Sequence, residues 1–403
     1  MAKSKKKSIS VIGIIIALII GIVGGAFGYA YLNSPYDEQL VIGDEVYYSY
    51  NETPSVNYVD ITSSDGTMSI HFLELGNKYT GDCTYIKVGE DIDILIDCGS
   101  KSNSIPTITS YLNQYVTDGT LEYVIVTHAH QDHYAGFATN ANVDSIFDLY
   151  ECENIIDFAM TNQDPDAKIF GNYIREREAE KEAGANHFTA LQCYNEELVE
   201  QADGEMVQAQ REYVLDQTNN ISFEILYQQY YEETFNRGEN NYSVCVLFSH
   251  GDRNYLFTGD LEEEGEESLV AENALPEVDV YKAGHHGSGT SSTSALLEVI
   301  KPKIVCVCCC AGSSEYTSNT ENQFPTQAFI DRVSEYTDQV YVTTLCIDYK
   351  NDEYTSFNGN IVILSYSDSD ELGINCTNNT TVLKDTEWFK NNRDCPTYWQ
   401  SLE

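Results

Sequence analysis

From residue 66 onward, short runs of alternating apolar and polar residues give way to stretches with helical spacing, and the two kinds keep changing places. Met68–Leu75 alternates as a half-buried strand does. Cys83–Val88 and Ile92–Asp97 follow as strands around a Gly-Glu turn, Pro106–Val116 has helical spacing, and Glu122–Thr127 is a short buried strand. After an interruption the alternation resumes. Ile221–Tyr227, Ser243–Ser249, Tyr255–Thr258, Val278–Lys282, Lys303–Cys310, Val340–Thr344 and Asn360–Tyr366 are predicted strands, and Leu261–Ala271, Thr293–Ile300 and Thr326–Tyr336 are predicted helices. Two mixed halves of strands and helices predict a layered α/β domain over 66–366.

Three segments break this rhythm. Residues 160–216 are rich in Glu, Gln and Ala, and predict a solvated helical insertion. Residues 367–403 are expected to form a C-terminal tail. At the other end, Lys3, Lys5, Lys6 and Lys7 lie in a basic flank (1–8) that precedes an uncharged apolar run from Ile9 to Leu32. That run holds 24 residues, where ~20 suffice to span a bilayer. The flanking lysines favour a cytoplasmic N-terminus. The expectation is a single-pass cell-membrane protein with its domain outside. A cleavable signal ending near Ala30, giving a secreted protein, is the rival reading. The polar, Tyr-rich residues 33–65 predict a linker.

Net charge alters the list of partners. At −42, with the acids spread along the chain, the surface repels polyanions and lacks the basic track that long DNA or RNA needs. Stable nucleic-acid binding is therefore in doubt. Of the 12 cysteines, the CxxC spacing of Cys306 and Cys309 falls inside a single apolar run and makes no metal motif. Cys306, Cys308, Cys309 and Cys310 lie within an apolar strand and predict buried thiols. Cys376 and Cys395 could pair in an exported protein.

The candidate chemistry follows the strand Tyr123–Thr127: His128-Ala-His130-Gln-Asp132-His133. Three imidazoles and a carboxylate within six residues suit zinc or a related divalent ion. His128 and His130 can grip one ion, and Asp132 and His133 can turn toward a second. This HxHxDH pattern resembles the signature of the metallo-β-lactamase superfamily, and further pieces match in order. Ile94-Leu-Ile-Asp97-Cys-Gly99 resembles its strand ending in Asp-x-Gly. Leu256-Phe-Thr-Gly259-Asp260 resembles the strand that delivers a metal-bridging aspartate, and Lys282-Ala-Gly-His285-His286-Gly287-Ser288 resembles its last histidine motif. The long Lys-x-x-His-His-Gly-Ser form, with Asn240-Asn241-Tyr-Ser243, is similar to the hydrolase domain of ComEC-like DNA-uptake proteins.

The resemblance implies an αββα four-layer sandwich of the metallo-β-lactamase type, preceded by one transmembrane helix. It implies metal ligation by His128, His130, Asp132, His133, Asp260 and His286, with His285 toward substrate or the two late histidines exchanged. Asp132 and His285 would be catalytic. Lys282 and Ser288 would contact substrate, with a plain structural role for Lys282 left open. Asp97 and Asn241 would stand behind the ligands. The family's middle histidine is missing: Asn241-Tyr-Ser243 takes its place, and His187 and His250 read as surface residues. Two divalent ions, zinc or manganese, would lower the pKa of water toward ~7 so that hydroxide attacks phosphorus. The expected activity is an extracytoplasmic metal-dependent hydrolase, a phosphodiesterase or nuclease. The alternatives are a cell-wall phosphorylcholine-type esterase and a non-catalytic surface protein on the same fold. The missing histidine counts against a β-lactamase or thioester hydrolase.

Overall fold

The alternating segments assemble into two eight-stranded sheets in this computed structural model, which describes residues 58–400 apart from 60, 62–63, 79, 101–103, 139–143 and 236–237. It also describes the backbone of Glu38–Ile42 and Glu45–Ser49, an antiparallel hairpin in a separate unit within the expected linker. The apolar run 9–32 lies outside the described residues. Among the described residues no helix is long and apolar enough to cross a membrane.

The first sheet runs in the order Gly373–Cys376, Ile361–Tyr366, Thr67–Phe72, Thr84–Val88, Ile92–Ile96, Thr120–Ile125, Glu151–Asp157, Asn186–Thr189. Its pairs are antiparallel as far as Ile92–Ile96 and parallel beyond. The second sheet runs Glu212–Asp216, Ile221–Leu226, Cys245–His250, Arg253–Phe257, Val280–Lys282, Ile304–Ala311, Val340–Asp348, Glu353–Ser356. Its four strands from Arg253–Phe257 to Val340–Asp348 are parallel.

Strand periodicity explains how the sheets pack. Successive side chains face opposite ways. Phe257 meets Phe72 of the first sheet at 6.2 Å between ring centroids, and the Tyr255 hydroxyl donates to Ser365 at 2.7 Å. Leu256, between them, turns outward. It joins Leu269, Leu296, Leu297, Ile330 and Val333 from the helices Glu263–Glu272, Ser294–Ile300 and Gln327–Ser334 in one core. Helices Ile105–Leu112 and Lys168–Ala183 follow strands of the first sheet. The fold is the metallo-β-lactamase α/β type.

Several expectations need correction. Residues 160–216 are helical chiefly over Lys168–Ala183; they also supply the edge strands Asn186–Thr189 and Glu212–Asp216, one for each sheet, and the small hairpin Leu198–Glu200 with Met206–Gln208. These strands are too short for their alternation to stand out from a charged background. Residues 367–403 are not a loose tail. Gly373–Cys376 pairs with the first sheet, and Leu383, Phe389 and Trp399 are buried in the core of the second, each such burial stabilising by ~1.5–3 kcal/mol. His250, expected on the surface, is buried, and its ring nitrogens meet the hydroxyls of Ser365 and Ser367 at 2.7 and 2.8 Å. His187 is half-buried on Asp157 at 2.9 Å. Ile304–Ala311 is a fully buried strand, as its cysteines predict. Cys376 and Cys395 are both free thiols.

One buried carboxyl shapes the approach to the site. Glu266, fully buried on the helix Glu263–Glu272, accepts from the backbone N–H groups of Ser292 (2.6 Å) and Thr293 (2.7 Å) and from the Thr293 hydroxyl (2.7 Å). It thereby fixes the turn that leads into the helix Ser294–Ile300, whose flanking Thr293 makes no side-chain capping bond. Arg332 holds the same turn through the carbonyls of Ser291 (2.7 Å) and Ser292 (2.8 Å). Burial pushes the Glu266 carboxyl up from 4.5 to about 7, against those hydrogen bonds and Arg332. A folded-state value above the unfolded one gives stability that is full below pH 4.5 and lost as pH rises through about 7. The unfolding free energy of the wild type relative to Glu266→Gln should therefore fall between pH 4.5 and 7.5, by up to ~3 kcal/mol at 1.36 kcal/mol per unit. Denaturant unfolding across that range measures it; a pH-independent difference would refute it.

Candidate metal centre

Strand ends bring the chemistry together. Thr120–Ile125 leads into His128–His133, Ile92–Ile96 into Asp97, Arg253–Phe257 into Asp260, and Val280–Lys282 into His285 and His286. Ligand sites in open α/β sheets commonly gather at the carboxyl ends of strands. Thr84 pairs with Ile96, so the start of the antiparallel strand Thr84–Val88 reaches the same edge and adds Asp82.

Asp260 Oδ2 is the meeting point. It lies 3.2 Å from His133 Nε2, 3.5 Å from His286 Nε2, 3.9 Å from His285 Nε2 and 4.0 Å from His128 Nε2. His128 Nε2 and His130 Nδ1 are 3.1 Å apart. Asp132 lies 3.4 Å from His286 Nε2 and 4.0 Å from His133 Nε2. The six residues expected as ligands therefore form one cluster around Asp260. Asp260 does not cap the next helix, which begins at Glu263 after Glu262.

Two of these histidines are oriented in the same way. Asp97 receives His133 Nδ1 at 2.7 Å and also accepts from the Thr127 N–H and hydroxyl, both at 2.8 Å. Asp82 lies 3.1 Å from His286 Nδ1. Asp97 thus holds the far ring nitrogen of His133, while His286 Nδ1 donates to the Cys308 carbonyl at 3.1 Å with the Asp82 carboxylate alongside; both arrangements turn Nε2 toward Asp260, as partners behind metal-bound histidines do. Asp82 was not expected from the sequence. Ligand atoms of Asp82, His133, Asp260 and His286 lie within 4.8 Å of one another. We assign Asp82 to orientation, since its carboxylate is also paired with the buried Lys282 ammonium.

Electrostatics match a cation site. Burial works to lower His133, but the carboxylates of Asp260 and Asp97 outweigh it and hold the ring well above its ordinary value. His286 is raised likewise, by Asp82 and Asp260 against burial. Burial would raise Asp260, yet His133, His286 and His285 draw it well below the usual carboxylate range. His128, with burial and the neighbouring His133 against it, is held low and neutral. His133 Nε2, His286 Nε2 and Asp260 Oδ1 are buried without a hydrogen bond, a costly arrangement unless an ion uses them. Imidazole and carboxylate donors suit a divalent ion. His128, His130 and Asp260 would serve one position, and Asp132, His133, His286 and Asp260 another.

The remaining predicted residues fall elsewhere. Lys282 is buried against Asp82 and also donates to the Ala283 carbonyl, so its charge serves that carboxylate and does not line the open side. Ser288 is buried and its hydroxyl is spent on Thr290 at 3.0 Å. His285 is half-buried near Thr290, Asn240 and Glu262. The segment replacing the family's middle histidine braces the Asp260 turn: Asn241 Oδ1 accepts from the Glu262 N–H (2.9 Å) and Ser243 Oγ from the Asp260 N–H (3.1 Å). Tyr316 was also missed. Its hydroxyl donates to Asp132 at 2.8 Å, from a loop with no periodicity to point to it.

Two stretches that supply most of this site, 76–141 and 232–311, match the metallo-beta-lactamase superfamily. Among curated proteins the chain is 37% identical to ComE operon protein 3 of Bacillus subtilis over 67 residues, 16% of this chain and 8% of that protein. It is 34% identical to competence protein ComA of Neisseria gonorrhoeae over 120 residues, 29% of this chain and 16% of that one. The chain thus spans under a fifth of the length of these relatives. A solved metallo-beta-lactamase fold protein, YhfI from Bacillus subtilis, aligns over 69% of this chain and 96% of its own, at 10% identity and a TM-score of 0.38. The matched stretches meet at one histidine and aspartate cluster, so the chain contains a domain similar to the metallo-beta-lactamase superfamily and, over short segments, to competence proteins.

Proposed function

We propose that this chain is an extracytoplasmic phosphodiesterase, held at the membrane by residues 9–32. The observation that carries the reading is the cluster of buried imidazoles around Asp260, with His130, Asp132, His285 and Tyr316 on its more accessible side. Divalent ions bound there would activate water and offset charge on a phosphoryl group. The chain's own residues do the rest. Asp97 and the Cys308 carbonyl keep Nε2 of His133 and His286 aimed inward. His285 stands at the rim, where a proton can pass to a leaving oxygen. A relative named for competence supports a phosphodiester substrate, and the acidic surface favours short or locally presented ones.

Purified protein should contain close to two divalent ions per chain, zinc or manganese, and hydrolyse bis(p-nitrophenyl) phosphate in a metal-dependent way. Asp260→Asn should lose at least one ion, and its turnover should fall by more than the ~10–100-fold typical of losing a residue behind a ligand. It should also lose the stabilisation that added metal gives the wild type, ~2.7 kcal/mol at a hundred times Kd. Elemental analysis, kinetics and melting curves measure these. Near-normal turnover by the Asn variant would overturn the bridging role of Asp260. A screen against DNA, RNA, cyclic dinucleotides and wall polymers then ranks nuclease against wall esterase.

The topology has its own test. Protease added to intact cells should cut the chain outside the membrane. Complete protection until lysis would place the domain on the wrong side.

A further inference from the structure

The loop between the strand Ile304–Ala311 and the helix Gln327–Ser334 carries two aromatic rings to the edge of the metal centre. Tyr316 lies nearly parallel to the His286 ring, at 5.6 Å and 18°. Phe324 packs against Tyr316 at 5.2 Å and contacts His286 and His285 at 6.0 and 5.5 Å. The loop is held from outside itself: Arg393, in the C-terminal segment, donates to the carbonyls of Gln323 (2.6 Å) and Pro325 (3.0 Å). An exposed tyrosine is usually an ordinary surface residue. This one differs in two respects. Its hydroxyl is fixed on Asp132, a candidate ligand, at 2.8 Å. The residue is nonetheless 45% exposed, while its neighbours His286 and Asp260 are 1% exposed. A half-exposed aromatic residue therefore stands beside the place where a phosphoryl group would bind.

We propose that Tyr316 is a specificity-determining residue, and that its ring stacks on a planar ring carried by the substrate next to the scissile phosphate, which is the chemistry of a nucleobase. The proposal rests on the phosphodiesterase reading and narrows it to nucleoside phosphodiesters. Stacking tolerates any base, since every base has a π-face, and needs no basic track. It thus fits an acidic surface that disfavours long polyanions. The hydroxyl bond to Asp132 sets the ring's angle, and Phe324 supports it at the edge.

The test compares a dinucleotide with its counterpart in which the base beside the scissile phosphate is replaced by hydrogen. The wild type should prefer the intact dinucleotide in kcat/KM by ~5- to 150-fold, the range that aromatic stacking on one base yields, mostly through KM. Tyr316→Phe keeps the ring and should keep the preference. Tyr316→Ala and Tyr316→Leu should bring the two substrates to near-equal kcat/KM, with metal content as in the wild type. Retention of the preference by both aliphatic variants would overturn the stacking role. Its loss in Tyr316→Phe to the same extent as in Tyr316→Ala would also overturn it, since the hydroxyl alone would then matter. Absence of wild-type turnover on both substrates and on bis(p-nitrophenyl) phosphate would remove the phosphodiesterase reading itself, and this inference with it. Turnover of bis(p-nitrophenyl) phosphate with no preference between the dinucleotides would defeat this inference alone.

Discussion

The buried carboxylate of Asp260 is the constraint on which the rest of the site depends. A charge that is 1% exposed is expensive unless positive groups surround it. Here four imidazoles approach one of its oxygens within 3.2–4.0 Å. His128 and His133 come from the first half of the chain, and His285 and His286 from the second. The two sheets must therefore meet in one register for that carboxylate to be tolerated. That carboxylate, with Asp97 and Asp82, holds the His133 and His286 rings above their ordinary value, against burial. A divalent ion meets its need for positive charge and also takes up the nitrogen and oxygen atoms left without hydrogen bonds.

Holding these groups together strains the backbone locally. Asp97, His285 and His286 adopt positive φ angles of 58°, 48° and 54°, a region costly for residues with a Cβ. The cost is borne where it aims a side chain. Asp97 reaches Thr127 and His133 from that conformation, and the consecutive pair His285–His286 sends one ring to the rim and one inward. Gly81 marks the closest approach: a Cβ there would lie 2.0 Å from the Asp132 carbonyl oxygen. Only glycine lets the segment before Asp82 pass against the histidine loop, where the Asp82 N–H donates to Asp132 O at 3.0 Å.

Legibility followed physical range. Most strands between Met68 and Tyr366 were readable because one buried face imposes a period of two over several residues, though Glu151–Asp157 and Glu353–Ser356 were not predicted, and the density of histidines at 128–133 marked the site directly. Asp82 was not readable: a single aspartate after glycine looks like any turn, and its meaning comes from Lys282, two hundred residues away. That distance also misdirected the reading of Lys282 itself, a lysine beside two histidines whose charge is spent on a partner the local sequence does not show. The edge strands at 186–189 and 212–216 were obscured by the charged residues around them. Trp399, Phe389 and Leu383 were too widely spaced in residues 367–403 to signal that this segment covers the second sheet.

The acidity of the chain bears on how such a site would choose among substrates. Four of the carboxylates behind the net charge of −42, those of Asp82, Asp97, Asp132 and Asp260, are gathered at this one centre. One lysine, Lys282, is paired with them. A phosphate approaching this field without cations meets like charge at long and short range. Bound ions reverse the sign only within a few ångströms, since their field is screened beyond about 10 Å at 0.1 M salt. Attraction is then confined to a phosphate already at the cluster, and neighbouring phosphates along a polymer gain nothing from the surface around it. On such a protein, selectivity has to come from neutral contacts beside the centre, and the half-exposed Tyr316 stands where such a contact would be made.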